Sequence, residues 1–170
     1  GILDGELLAW KDGVVLPFLQ LQARLGRKNP SPAILADVPV IYVAWDVLGL
    51  DRDPGTEVES LLGATLTERR RTLEGLALPL AADGGRFALT HLVTVGSMDG
   101  LEEAFAEARS SRNEGLMVKD PRSEYSPGRR GLGWLKMKKA LATLDCVVVG
   151  VEVGHGKRHG VLSDYTFAVL

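Results

Sequence analysis

One cysteine, Cys146, is the whole thiol content of this 170-residue chain. A single thiol excludes an internal disulfide and a cysteine-based zinc cluster, and it points to a reducing compartment. No apolar run reaches the roughly 18 residues of a membrane span, which excludes a transmembrane helix. Histidine is equally scarce: His91, His155 and His159 have no metal-ligand spacing with carboxylate support, which argues against a zinc site. Neither sign of charge dominates, with 20 basic and 22 acidic residues. There is no internal repeat and no low-complexity tract. An initiator methionine is also missing: residue 1 is Gly, and the first methionine is Met98. The chain is therefore expected to be a fragment, a processed product or a tagged chain.

What remains is ordinary globular material. Hydrophobic residues make up 45% and charged residues 25% of the chain, with a mean hydropathy of +0.06. These values argue against disorder. The length suits one domain, or one domain plus part of a second.

Charge is not spread evenly. Between Lys119 and Lys139, seven basic residues face two acidic ones. That stretch carries +5, and the remainder carries −7 within a total of −2. A basic strip on a near-neutral protein suggests an anionic ligand such as phosphate or nucleic acid, although a charge run is more often a solvated face. Within the strip, Trp134-Leu135-Lys136-Met137-Lys138 alternates apolar and cationic residues at strand period. Lys136 and Lys138 then point to one side of a strand, where two ammonium groups repel unless an anion lies between them.

Periodicity gives a coarse map. Ile2–Trp10 reads as a strand, with Lys11-Asp12-Gly13 as the turn and Val14–Leu16 as the return. Phe18, Leu21, Gln22 and Leu25 have helical spacing, closed by Gly26. Asn29–Pro32 is loop, and Val38–Leu48 is a buried strand. Leu62–Leu76 is a helix with a Thr65-x-x-Glu68 capping box, on which Arg69, Arg70 and Arg71 form a solvated face. Phe87–Val95 is a strand. Asp99-x-x-Glu102 caps a helix with Leu101, Ala104, Phe105 and Ala108 as its buried stripe. Gly115–Lys119, Trp134–Lys138 and Asp145–Val153 are strands, with Cys146 in the core. Gly154–Gly160 is a basic loop, and Tyr165–Leu170 begins a further strand. Separated helices among many strands favour an α+β fold with antiparallel pairing.

Four segments carry the chemistry: Asp4-Gly5-Glu6, Ala44-Trp45-Asp46-Val47-Leu48, Glu114-Gly115-Leu116-Met117-Val118-Lys119, and Trp134-Leu135-Lys136-Met137-Lys138-Lys139. Each alone is weak. In this order and spacing they resemble motifs III, IIIa, IV and V of the ATP-dependent DNA ligases, members of the covalent nucleotidyltransferases. The resemblance covers nearly the whole chain. It implies an ATP-grasp-like adenylation domain of two antiparallel sheets with flanking helices over residues 1–143. The first strands of an OB-fold follow over residues 144–170.

The resemblance also implies roles. Lys136 and Lys138 neutralise the α-phosphate, and Glu114 holds Mg²⁺. Glu6 reaches a ribose hydroxyl or the metal. Trp45 is the platform for adenine, worth about 1–3 kcal/mol by analogy with base stacking elsewhere. Lys119 faces the nucleotide. Arg129 and Arg130, with Lys157 and Arg158 at the basic hairpin tip, meet DNA phosphates. From the residues alone, Glu6 reads as an edge-strand charge, Glu114 as a surface carboxylate and Trp45 as a core aromatic. The implied cofactors are ATP (AMP) and Mg²⁺. The implied partner is nicked double-stranded DNA, handled by a monomeric, intracellular (bacterial-type cytoplasmic) enzyme without membrane contact.

Two segments imitate motifs without matching them. Lys11-Asp12-Gly13 lacks the intervening residue and the arginine of motif I, Lys-x-Asp-Gly-x-Arg. Gly154–Gly160 lacks the glycine spacing and the Ser/Thr of a Walker A loop. Motif I, with the family's nucleophilic lysine, and motif VI have no counterpart here, so the chain alone is expected not to self-adenylate. The alternatives are an RNA ligase or capping-type relative, and a non-catalytic nucleotide- or DNA-binding module.

Overall fold

The computed structural model describes residues 1–51, 55–111, 113–129, 131–139 and 143–169. It divides into two compact units, Gly1–Met137 and Lys138–Leu170.

The first unit is built on a hairpin. β1 (Ile2–Lys11) and β2 (Val14–Val15) pair antiparallel. Asp12 and Gly13 between them both have positive φ, 52° and 83°. Two positive φ values give the turn the same right-handed twist as its strands. β3 (Val40–Leu50) lies antiparallel to β1, and β4 (Glu59–Ser60) pairs with its far end. β5 (Phe87–Leu89) joins β3 in parallel. The five-stranded sheet is therefore mixed, not antiparallel throughout as expected. The cause is the crossover between β3 and β5, since parallel neighbours need one and α3 (Leu66–Glu74) lies within it. β5 is also shorter than the strand expected to Val95.

The β1–β3 register slips twice. Gly5 faces Ala44 and Asp4 faces Asp46, so Trp45 is passed over; Leu3 faces Val47 and Ile2 faces Gly49, so Leu48 is passed over. Such bulges re-phase the alternation of side chains. They bring Ala44 and Val47 into one apolar cluster with Leu3 and with Leu73 of α3. Gly5 has to be glycine, because a Cβ there would lie 2.5 Å from the Val43 carbonyl oxygen and 2.7 Å from the Tyr42 ring.

Capping fixes the helices. α1 (Phe18–Gln22) is shorter than expected and reaches Gly26 (φ 73°) through turns. α2 (Pro32–Asp37) begins at the last residue of the expected Asn29–Pro32 loop; Ser31 caps it and Pro32 occupies its first position. In α3 the Thr65 and Glu68 bonds are both formed, with Glu68 Oε2 accepting from Thr65 N at 2.8 Å. These bonds hold the Glu68 carboxyl below its usual range. Thr65→Ala is expected to lower the unfolding free energy by about 1 kcal/mol, read from urea titrations. α4 (Met98–Ser110) is capped by Ser97, not Asp99, and Gly100 N donates to the Ser97 hydroxyl at 3.1 Å. Its expected stripe is half-buried. β6 (Gly115–Lys119) and β7 (Trp134–Lys138) form a two-stranded sheet.

In the second unit, β8 (Cys146–Val153) and β9 (Leu162–Val169) form an antiparallel pair with two register shifts. Cys146 is exposed, correcting its expected place in the core, because that pair leaves most of its apolar side chains uncovered. No helix among the described residues is long and apolar enough to cross a membrane.

Candidate nucleotide-binding site

A shallow concavity of about 390 Å³ lies elsewhere on the sheet, but a second, of about 370 Å³, collects predicted residues. Glu6 of β1, Glu114 just before β6, and Lys136 of β7 line it, together with Asn113 and Met117. Lys136 Nζ donates to Glu114 Oε2 at 3.0 Å. Both side chains stay more than half exposed, so the pair is weak and open to exchange for another anion. Glu6 thus lines one concavity with two residues more than 100 positions further along the chain, delivered by β7 and by the turn into β6.

The other predicted residues are placed as follows. Trp45 stands half-buried at the first bulge of β3, outside the lining of that concavity. Its indole Nε1 is buried and has no hydrogen-bond partner among the described residues. Lys119 Nζ sits 3.6 Å from the centre of the Trp134 ring. Burial pushes its ammonium below the usual lysine range, against the pull of Asp46 and Asp4. Lys138 and Arg129 are exposed, as are Lys157 and Arg158, which lie in the short helical turn Gly156–Arg158. Arg130 lies outside the described residues.

A buried ion pair joins β3 to α3. Asp46 and Arg69 are fully buried, correcting the solvated face expected for Arg69. They pair in bidentate fashion, Nε to Oδ1 at 2.9 Å and Nη2 to Oδ2 at 3.0 Å. Arg69 Nη1 also donates to the Ala64 and Ser123 carbonyls. Arg70 is mostly buried as well, with Nη2 donating to the Thr90 carbonyl at 2.9 Å; only Arg71 of the three is exposed. Beside this pair, Tyr125 donates its hydroxyl to Asp4 Oδ2 at 2.7 Å. Burial and that bond push the phenol up to about 12. Its ring meets Trp134 edge-on, with centroids 5.6 Å apart. One signal for Arg69 was in the sequence: Leu66, Arg69 and Leu73 share a helix face, and all three are buried.

Comparison with known proteins agrees with the family resemblance. The family described as ATP dependent DNA ligase domain matches residues 1–138. A probable DNA ligase of Opitutus terrae is 49% identical over 98% of this chain, which spans 18% of that protein. The DNA ligase of Archaeoglobus fulgidus is 36% identical over 99% of the chain, which spans 28% of it. Among solved structures, a mycobacterial DNA ligase D complexed with ATP and MES is 28% identical, with a TM-score of 0.55 over 86% of this chain and 40% of that one. The chain belongs to the ATP-dependent DNA ligase domain family. It spans less than a third of the length of these two curated relatives.

Proposed function

We propose that the chain is the central part of the adenylation domain of an ATP-dependent DNA ligase that seals nicks in duplex DNA. The observation that carries this reading is the meeting of Glu6, Glu114 and Lys136 around one concavity. In the reaction, a lysine amine supplied outside these four motifs attacks the α-phosphorus of ATP and pyrophosphate leaves. The AMP then passes to a DNA 5′-phosphate, releasing the lysine. The 3′-hydroxyl attacks that phosphate, and AMP leaves.

This chain's residues bind and orient. Lys136, with Lys138 at the end of β7, neutralises the α-phosphate as a mobile point charge. Trp45 carries the adenine, and Glu6 reaches the ribose. Glu6 and Glu114 are hard oxygen donors, and Mg²⁺ is commonly held by one or two carboxylates plus substrate phosphates; their common concavity fits that ion. When bound, the ion would offset charge on the phosphates. Lys119 lies behind the nucleotide, its charge spent on the Trp134 ring. Arg129, Arg130, Lys157 and Arg158 meet the DNA backbone. Residues 144–170 open an OB-fold after a boundary near residue 143; the uncovered valines of β8 and the exposed Tyr165 and Phe167 of β9 support a sheet that packs further. The full-length enzyme acts as an intracellular monomer.

Labelled ATP with Mg²⁺, followed by a denaturing gel, tests the reading in the full-length protein. A radioactive band that chases onto nicked DNA is expected. Failure to label with ATP would refute it.

A further inference from the structure

Glu6 and Lys136 line the same concavity but come from strands that do not pair with each other: β1 belongs to the five-stranded sheet and β7 to the sheet with β6. Something must set their separation. One line of contacts joins them. Asp4, two residues before Glu6, accepts the Tyr125 hydroxyl at 2.7 Å. The Tyr125 ring meets Trp134, two residues before Lys136, edge-on at an interplanar angle of 89°. Trp134 is also met by Lys119 of β6, whose Nζ lies over its ring at 3.6 Å.

Tyr125 is itself held firmly. Its amide donates to the Leu62 carbonyl at 2.9 Å. Nearby, Leu66 N donates to the Ser123 carbonyl at 2.9 Å and Thr67 N to the Pro121 carbonyl at 3.0 Å, which ties the connection between β6 and β7 to the start of α3. The Arg69 guanidinium lies 5.7 Å from the Tyr125 ring centre. The bond spans a long stretch of chain, since Asp4 and Tyr125 are 121 residues apart.

We propose that Tyr125 is a positioning residue, which fixes the distance between Glu6 and Lys136 through its hydroxyl on Asp4 and its ring edge on Trp134. Tyr125 touches no substrate. It acts on the phosphate lysine through Trp134 and on the ribose or metal carboxylate through Asp4. The proposal rests on the ligase reading for its catalytic consequence, but its geometry does not depend on that reading. The phenol stays protonated at neutral pH, so the tie persists across the range in which a nucleotidyl transfer runs.

Tyr125→Phe keeps the ring and removes only the hydroxyl. In the full-length protein the expected result is a fall of roughly tenfold or more in the maximal rate of enzyme–adenylate formation, the scale of a small misplacement of reacting groups. The KM for ATP should stay within about threefold, because the ground-state contacts survive. Asp4→Ala should reproduce the loss, and the double variant should be no worse than either single one, since all three break the same bond. Amide hydrogen exchange over residues 134–138 should quicken in Tyr125→Phe while that of β2 does not change. An adenylation rate within twofold of the parent, losses that multiply in the double variant, or unchanged exchange over 134–138 would each overturn the proposal. If the parent itself forms no adenylate, the ligase reading falls, and the exchange measurement alone decides whether Tyr125 makes the tie.

Discussion

Lys136→Ala in the full-length protein is expected to lower the rate of enzyme–adenylate formation by roughly two to three orders of magnitude, the scale of losing one fixed charge partner of the transition state. The same variant should change the unfolding free energy by less than about 1 kcal/mol. The reason lies in its partner Glu114, 3.0 Å away in a pair that is largely exposed on both sides. An exposed pair of that kind contributes little to stability. Catalytic and structural effects therefore separate cleanly at this residue. Lys138→Ala should fall in the same class. Lys136→Arg is not a rescue, because a planar fork replaces a compact, rotatable ammonium. Single-turnover labelling checks the rate, and denaturant titration checks the stability. A rate within a few-fold of the parent would remove Lys136 from the phosphate.

The opposite behaviour is expected of Arg69. Arg69→Met leaves Asp46 fully buried without its cation, at a cost of about 3–5 kcal/mol. That is a large share of the 5–15 kcal/mol that usually separates folded from unfolded chains. The bond from Val47 N to Asp46 Oδ1 at 2.9 Å survives, but one backbone donor does not balance a buried carboxylate. Arg69→Met also strips donors from the Ala64 and Ser123 carbonyls, so the loop leading to Tyr125 loosens. Replacing both partners, Asp46→Leu with Arg69→Met, should recover part of the loss, because no unpaired charge is then left inside. Thermal and urea unfolding of the two variants test this. A single variant as stable as the parent would mean that the pair is not buried in solution.

Much of the frame is legible in the residues because its signals are local. The Asp12-Gly13 turn, the Thr65–Glu68 box and the alternation over Trp134–Lys138 need only near neighbours. The family is legible through the resemblance of four segments, three of which supply the Glu6, Glu114 and Lys136 that line one concavity. What escaped depends on distant partners. The bulge at Trp45 exists only through the register with β1. Tyr125 looks like an ordinary loop residue until Asp4 is brought to it. Arg69 reads as surface if its charge is weighed alone, yet its spacing from Leu66 and Leu73 puts it on the buried face. Asp46, a lone charge in an apolar strand, asked for such a partner. Ser31-Pro32 and Ser97 are local caps of the ordinary kind, masked in the sequence by the Asn29–Pro32 loop signal and by Asp99-x-x-Glu102. The apolar neighbours of Cys146 suggest a core, but on β8 those neighbours are themselves uncovered.

The central claim is that the concavity between Glu6, Glu114 and Lys136 receives the α-phosphate of a nucleotide. A crystal structure of the full-length protein with AMP tests it most directly. The expected result has Lys136 Nζ released from Glu114 and about 3 Å from an α-phosphate oxygen, with the adenine against Trp45. AMP bound elsewhere, with the Lys136–Glu114 pair intact, would contradict it.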